Sequence, residues 1–222
     1  MDLFQNANPS SAPLAHKLRP KNLEEFIGQN KILGPNSPLK KLLLSGKVPN
    51  LILWGPPGVG KTTFAELLSQ HIDAKFISLN AISAGAKDIR DIGEAAKGDW
   101  TYHQKKTFLF MDEVHRLNKS QQDVLLPFIE KGVFGFIGAT TENPSYHLNS
   151  ALLSRTRLVV FEAHSQDSLK QIMNKVFDHY SLKKDQTIKE EVEDLLIEAS
   201  DGDARLLINH LEFLIDTISS FC

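Results

Sequence analysis

The sequence predicts an α/β fold: a five-stranded parallel sheet flanked by helices, followed by a small helical lid. Three observations lead there. Between residues 51 and 161 short apolar runs alternate with segments of helical periodicity, the pattern of strands joined by crossover helices. The first run, Leu51-Ile52-Leu53-Trp54, passes directly into a glycine-rich loop that ends in Lys61-Thr62 and opens a helix. After residue 161 the strand-like runs stop and three amphipathic segments follow.

Taken in order, residues 1–13 read as a flexible N-terminal tail, because the stretch from Asn6 to Pro13 is polar and rich in proline and serine. Pro20 and Gly28 then punctuate a short apolar lead-in. Residues 39–44 are helical in pattern, and Gly46 stops them. Residues 51–54 form the first strand and 62–72 the helix behind the glycine loop. Residues 76–80 are a second strand, and 87–96 alternate apolar and charged residues at helical spacing. Residues 107–111 are apolar throughout, a third strand buried on both faces. Residues 120–131 are amphipathic, with Val124, Leu125, Phe128 and Ile129 on one side. Residues 134–139 and 158–161 are the fourth and fifth strands. Residues 168–180, 188–199 and 204–218 read as helices, the last capped by Asp201-Gly202-Asp203. The expected organisation is a sheet domain over residues 14–163 and a helical lid over 164–222.

Composition narrows the function. A chain of 222 residues holds one large domain, or one plus a small one, and 41% hydrophobic with 23% charged residues is ordinary for a globular protein. Lys and Arg total 25 and Asp and Glu 27, a formal net charge of −2. No global basic field draws the chain to nucleic acid, so any such contact is a local patch. The single cysteine, Cys222, excludes an internal disulfide and a cysteine-based zinc site. The N-terminus lacks a basic region before an apolar run, and no run approaches the ~20 residues of a membrane span. The expectation is a cytoplasmic protein without a membrane partner. The 8 histidines are scattered without metal-ligand spacing and read as structural or surface residues, and the 13 phenylalanines read as core.

The loop Gly55-Pro56-Pro57-Gly58-Val59-Gly60-Lys61-Thr62-Thr63 fits the G-x-x-x-x-G-K-[ST] phosphate loop, after a buried strand and before a helix. Gly55, Gly58 and Gly60 let the backbone N–H groups face one point, and the helix start adds its positive end there. Lys61 reaches the β- and γ-phosphates of ATP, and the Thr62 hydroxyl suits Mg²⁺. The third strand ends in Asp112-Glu113, at the carboxyl end where parallel sheets bind ligands. Asp112 fits as the Mg²⁺ partner through water, and Glu113 as the group that orients or deprotonates an attacking water. A solvated strand end is the plainer reading of two acids, and the preceding phosphate loop weighs against it. Thr141, past the fourth strand, is placed to hydrogen-bond that water, or is simply a threonine at a strand end. Arginine suits charge on phosphoryl oxygens, but taken alone Arg155 and Arg157 read better as a solvated pair. Arg205, at the start of the last helix, reads as a phosphate contact or a solvated helical arginine.

Together these motifs resemble the AAA+ ATPases, and most of all the family of the replication-associated recombination protein A and the Werner-helicase-interacting ATPases. The resemblance rests on Pro13-Leu14-Ala15, Leu18-Arg19-Pro20 and Glu25-Phe26-Ile27-Gly28-Gln29. It rests more specifically on Asp112-Glu113-Val114-His115-Arg116-Leu117-Asn118-Lys119-Ser120-Gln121-Gln122-Asp123, and on Thr140-Thr141-Glu142-Asn143-Pro144-Ser145 leading to Leu153-Ser154-Arg155. It spans nearly the whole chain.

The resemblance implies further roles. Arg19-Pro20 and Ile27-Gly28 look like the segment that holds adenine. Thr141 matches the first sensor and Arg205 the second, while Arg155 matches an arginine finger acting on ATP in a neighbouring subunit. Asn80 matches a polar residue that restrains the catalytic glutamate. Residues 85–90 are similar to a clamp-loader segment that tracks DNA, so Lys87 and Arg90 are candidate phosphate contacts, or a solvated helix face. The implied function is an ATP- and Mg²⁺-dependent motor acting at stalled or damaged replication forks. Its implied partners are single-stranded or forked DNA, further copies of the chain, and single-strand-binding or other replisome proteins. A bacterial chain would be nucleoid-associated. The rivals are a clamp-loader or Holliday-junction motor, and a nucleotide-switched adaptor that binds ATP without turnover. Family members continue through a helical half that drives oligomerisation, so this chain is expected to be a weakly associating fragment or a short protein.

Overall fold

The computed structural model describes residues 12–182 and 189–219. Most of the expected tail, the first residue of the expected helix at 188, and Cys222 lie outside the described residues. Two compact units divide the chain. One is Gln29–Glu162; the other joins the segment ending at Gly28 to the chain from Ala163 onward.

The first unit is the expected parallel sheet. Its strands are β1 (Leu51–Trp54), β2 (Lys75–Asn80), β3 (Thr107–Asp112), β4 (Gly135–Thr140) and β5 (Arg157–Val160). All neighbours pair in parallel, in the order β2-β3-β4-β1-β5. The three central strands are the most apolar and the most buried, while β2 and β5 form the half-exposed edges. The helices Lys61–His71, Ala86–His103 and Lys119–Glu130 supply the crossovers. Leu125 and Ile129 of the last are buried in the core, and Val124 and Phe128 pack partly against it, as the periodicity requires.

Two local differences have physical reasons. The helix read over residues 87–96 runs on to His103. Its polar second half breaks the apolar period, but Lys97 pairs with Glu94 at 2.7 Å, and Asp99 with Lys75 of β2 at 2.7 Å. The short helices Pro144–His147 and Ser150–Leu153 give no periodicity to read. Their caps are visible in the sequence all the same: the side chain of Asn143 accepts from Ser145 N, and that of Asn149 from Leu152 N.

The second unit is helical: Gln166–His179, Glu190–Ala199 and Ala204–Ser219. They bury Leu169, Met173, Val176, Phe177, Ile197, Leu207 and Leu211 together. Leu14, on the short helix Leu14–Lys17, belongs to the same core, and its N–H donates to Glu212 Oε1 at 3.3 Å. The segment at residues 14–28, read as part of the sheet domain, therefore packs with the helices. A short apolar segment carries no pattern that says which of two cores it joins. Further along, Lys175 Nζ donates to the carbonyl of Glu25 at 3.0 Å and pins this segment to the first long helix.

Candidate nucleotide site

The phosphate loop leaves β1 at its carboxyl end. Gly55 N donates to Thr140 O at 3.2 Å, which ties the loop to the end of β4. A Cβ on Gly55 would lie 2.3 Å from the carbonyl oxygen of Phe161, so only glycine fits there. Gly58 and Gly60 take positive φ, +67° and +92°, where a β-branched residue would clash. Helix Lys61–His71 starts immediately after, with Gly60 as its left-handed N-cap. Lys61 is buried, and its Nζ donates to the carbonyls of Gly55 and Pro56 at 2.8 and 2.6 Å. Val59 is buried, Pro56 and Pro57 are exposed, and Thr62 and Thr63 are half-buried.

Strand register sets the acids beside the loop. Leu53 pairs with Ala139 and Met111 with Gly138, so Asp112 stands level with the last residues of β1, two strands away. That is about 10 Å at the usual strand spacing. Asp112 Oδ1 accepts from Glu113 N at 3.0 Å. Its other oxygen and the Thr62 hydroxyl are hard oxygen donors of the kind Mg²⁺ takes, at the mouth of a loop built for phosphate, so these residues fit that ion. Glu113 has φ +52°, unusual for a residue with a side chain, and its carboxylate is one-third exposed. Thr141 follows the Thr140 that meets the loop, and it is exposed.

Sequence reading missed the groups around Glu113. His115 is buried, and its Nε2 lies 3.4 Å from Glu113 Oε2 and 3.2 Å from Glu142 Oε1. Its Nδ1 lies 2.9 Å from Thr140 Oγ1. Glu142 Oε2 lies 2.7 Å from His147 Nε2. These two histidines therefore pair with carboxylates. Asn80 Oδ1 accepts from Ile82 N at 2.9 Å in a local turn at the end of β2. The signal available in the sequence was the joint presence of the His115 and Glu142 stretches. Gln122 explains why those stretches belong together. It is buried and donates to the carbonyls of Leu117 and His147, while its Oε1 accepts from Asn149 N.

Arg155 stands at the other end of the sheet. Its carbonyl accepts from Asn50 Nδ2, and Asn50 O accepts from Arg157 N, just before β1 begins. From Asn50 to Gly55 the chain climbs roughly 16 Å at strand rise, farther than an arginine side chain extends. The guanidinium points to its own surroundings: it pairs with Glu130 Oε1 at 2.6 Å and donates to Ala151 O at 2.7 Å. Lys87 and Arg90 lie exposed on the first turns of helix Ala86–His103.

Arg19, Pro20, Ile27, Gly28 and Arg205 all belong to the helical unit. Gly28 has φ +79° and lies against the His164 ring, 2.9 Å from Nδ1 to an added Cβ. Arg205 is exposed, and its N–H donates to the capping carboxylate of Asp203 at 2.8 Å. Among the described residues no cluster of His, Cys, Asp and Glu is arranged to hold a metal ion by itself.

Comparison with known proteins agrees with this geometry. Residues 51–164 match the model of the AAA family, "ATPase family associated with various cellular activities". The chain is 44% identical over 216 residues to the replication-associated recombination protein A of Haemophilus influenzae, covering 96% of this chain and 48% of that protein. It is 42% identical to the ATPase WRNIP1 of Dictyostelium discoideum, over 93% of this chain and 24% of that protein. The chain thus spans about half the length, or less, of these relatives. Among solved structures it resembles the Holliday junction branch migration motor RuvB of Thermotoga maritima, with TM-score 0.74 and 27% identity over 91% of this chain and 67% of that one. The phosphate loop, the strand order and the match across the sheet unit place this chain in the AAA family of ATPases.

Proposed function

We propose that this chain is the ATP-hydrolysing part of a DNA-directed motor that works at stalled or damaged replication forks. One observation carries the reading. The loop, Asp112, Glu113 and Thr141 converge at one end of the sheet, while Arg155 stands at the other. Such a chain holds every group for phosphoryl transfer to water except the positive charge beyond the γ-phosphate, and it carries that charge where only another copy can use it.

In this reading the loop N–H groups and Lys61 hold the phosphates of ATP, and Thr62 and Asp112 hold Mg²⁺, which supplies positive charge to the phosphate oxygens. Glu113 and Thr141 orient a water. As its oxygen bonds to the γ-phosphorus, the bond to the ADP oxygen breaks and Glu113 takes the proton. Arg155 of a neighbouring copy steadies the charge on the transferring group. Arg19, Pro20, Ile27, Gly28 and Arg205 are proposed nucleotide contacts on the strength of the family resemblance. Lys87 and Arg90 are proposed contacts to a DNA backbone. Forked or single-stranded DNA and single-strand-binding or replisome proteins are the proposed partners, in a cytoplasmic setting. The 44% identity to a replication-associated recombination protein, against 27% to the Holliday junction motor, favours the fork over the junction.

The test is turnover with binding measured beside it. Glu113→Gln is expected to bind ATP like the wild type and to hydrolyse it about a hundredfold or more slowly, the scale of general-base catalysis. Lys61→Ala is expected to weaken nucleotide binding itself. Normal turnover by Glu113→Gln would remove Glu113 from the mechanism.

A further inference from the structure

The mechanism leaves one buried histidine unused. His115 follows Glu113 by two residues, and a single 3-10 turn, Val114–Arg116, brings its ring back under the acid. The left-handed backbone at Glu113 makes that return possible. Each ring nitrogen then meets a different kind of partner. Nδ1 lies 2.9 Å from the Thr140 hydroxyl at the end of β4, and that hydroxyl also accepts from Glu142 N at 3.0 Å. Nε2 faces two carboxylate oxygens, of Glu113 at 3.4 Å and of Glu142 at 3.2 Å. An ionised carboxylate only accepts, so the tautomer with its hydrogen on Nε2 is the one that suits both acids. Glu142 is itself anchored, by His147 Nε2 at 2.7 Å. Of the two acids that face Nε2, Glu142 is thus held from a second side, while Glu113 has His115 as its ion-pair partner among the described residues.

We propose that His115 is a positioning residue for Glu113: its Nε2–H holds one carboxylate oxygen and leaves the other for the attacking water. The inference rests on the hydrolytic reading of Glu113. It gives His115 a restraint of the kind the family resemblance implied for Asn80, whose Oδ1 accepts from Ile82 N. Thr140 and Glu142 fix the imidazole from both of its nitrogens, so the loop that carries Thr141 also sets the aim of Glu113. The two groups expected to handle the water are in this way joined through one buried ring.

Amide replacements separate positioning from support. A Gln amide nitrogen comes close to the place of Nε2, and an Asn amide nitrogen to that of Nδ1. His115→Ala is expected to lower kcat by about a hundredfold, the scale of an ångström's misplacement, while the KM for ATP stays within about twofold. His115→Gln is expected to recover most of that loss and His115→Asn little of it, although both keep a polar group in the same pocket. In a Glu113→Gln background, His115→Ala should cost nothing further, because the two act as a unit. A second readout is independent of turnover: with isotope-labelled histidine, and relative to the wild type, Glu113→Gln should shift the His115 Nε2 resonance, and Glu113→Ala should shift it further. Equal activity of the Gln and Asn variants, an additive double variant, or a resonance unmoved by Glu113 substitution would each overturn the positioning role. These results differ from failure of the hydrolytic reading itself, which would appear as normal turnover in the Glu113→Gln single variant. His115→Gln also guards against loss of folding in the Ala variant, since its melting temperature is expected to stay near that of the wild type.

Discussion

At the scale of the residue, Glu113 shows how a site is built against local preference. Its left-handed backbone costs about 1–2 kcal/mol for a residue with a Cβ. The surroundings impose it: β3 ends at Asp112, and the 3-10 turn must begin at Val114 for His115 to reach β4. Asparagine tolerates this backbone better than glutamate does. Glu113→Asn is therefore expected to raise the melting temperature by about 2–4 °C, the usual return on 1 kcal/mol in a chain of this size, while turnover collapses. Calorimetry and an ATPase assay on the same sample check both. A lowered melting temperature would mean that the Glu113 side chain stabilises the fold more than its backbone strains it. The placement of Asp112, Glu113 and the glycine loop at one end of the sheet was legible in the sequence because each is contiguous and follows a buried apolar run. The partnership of His115 with Glu142 was not, because it joins the ends of two strands, and strand order is a property of the sheet.

At the scale of the element, two contacts are testable. Helix Ala86–His103 meets helix Lys119–Glu130 at Gly93, where a Cβ would fall 2.2 Å from the Phe128 ring. That ring cannot easily withdraw, because it stacks on Phe134 at 5.5 Å. Gly93→Ala is expected to destabilise the sheet unit by about 1–3 kcal/mol, the cost of overpacking, despite alanine's better helix propensity. A denaturant titration showing higher stability would mean that the helices separate freely. In the helical unit, burial holds the His164 imidazole below its ordinary value, with Asp203 opposing, and its Nδ1 has no hydrogen-bond partner among the described residues. The unfolded chain takes up this proton first as pH falls. Stability from this group is thus complete above the ordinary histidine value, about 6.5, and is lost as pH drops below it toward the folded value. Melting curves between pH 8 and pH 5 should show that loss in the wild type and a smaller one in His164→Gln. The number and parallel run of the strands and the positions of the long helices followed from periodicity and loop chemistry. The packing of residues 14–28 with the helical core did not, since Leu14 is one apolar residue whose partners lie at the far end of the chain.

At the scale of the whole molecule, the groups proposed for catalysis stand at two opposite ends of the sheet. The phosphate loop and acids lie at the carboxyl ends of the strands, and Arg155 lies beside Asn50 at the opposite ends, paired with Glu130. Head-to-tail contact between copies would bring one end of each to the other end of the next, the arrangement from which rings are made. Turnover per chain should then rise with protein concentration, and Arg155→Ala should cancel the rise without changing ATP affinity. An arginine supplied by a neighbour contributes about a thousandfold or more in rate, so the effect is large enough to read in a partly associated sample. The most direct measurement mixes two inactive variants at high protein concentration. Lys61→Ala chains lack the pocket and keep the arginine; Arg155→Ala chains keep the pocket and lack the arginine. Each alone is expected to be nearly silent, and the mixture to regain a substantial part of wild-type ATP turnover through an arginine supplied in trans. A mixture as silent as its parts, beside a wild type whose turnover per chain does not depend on concentration, would contradict that role for Arg155.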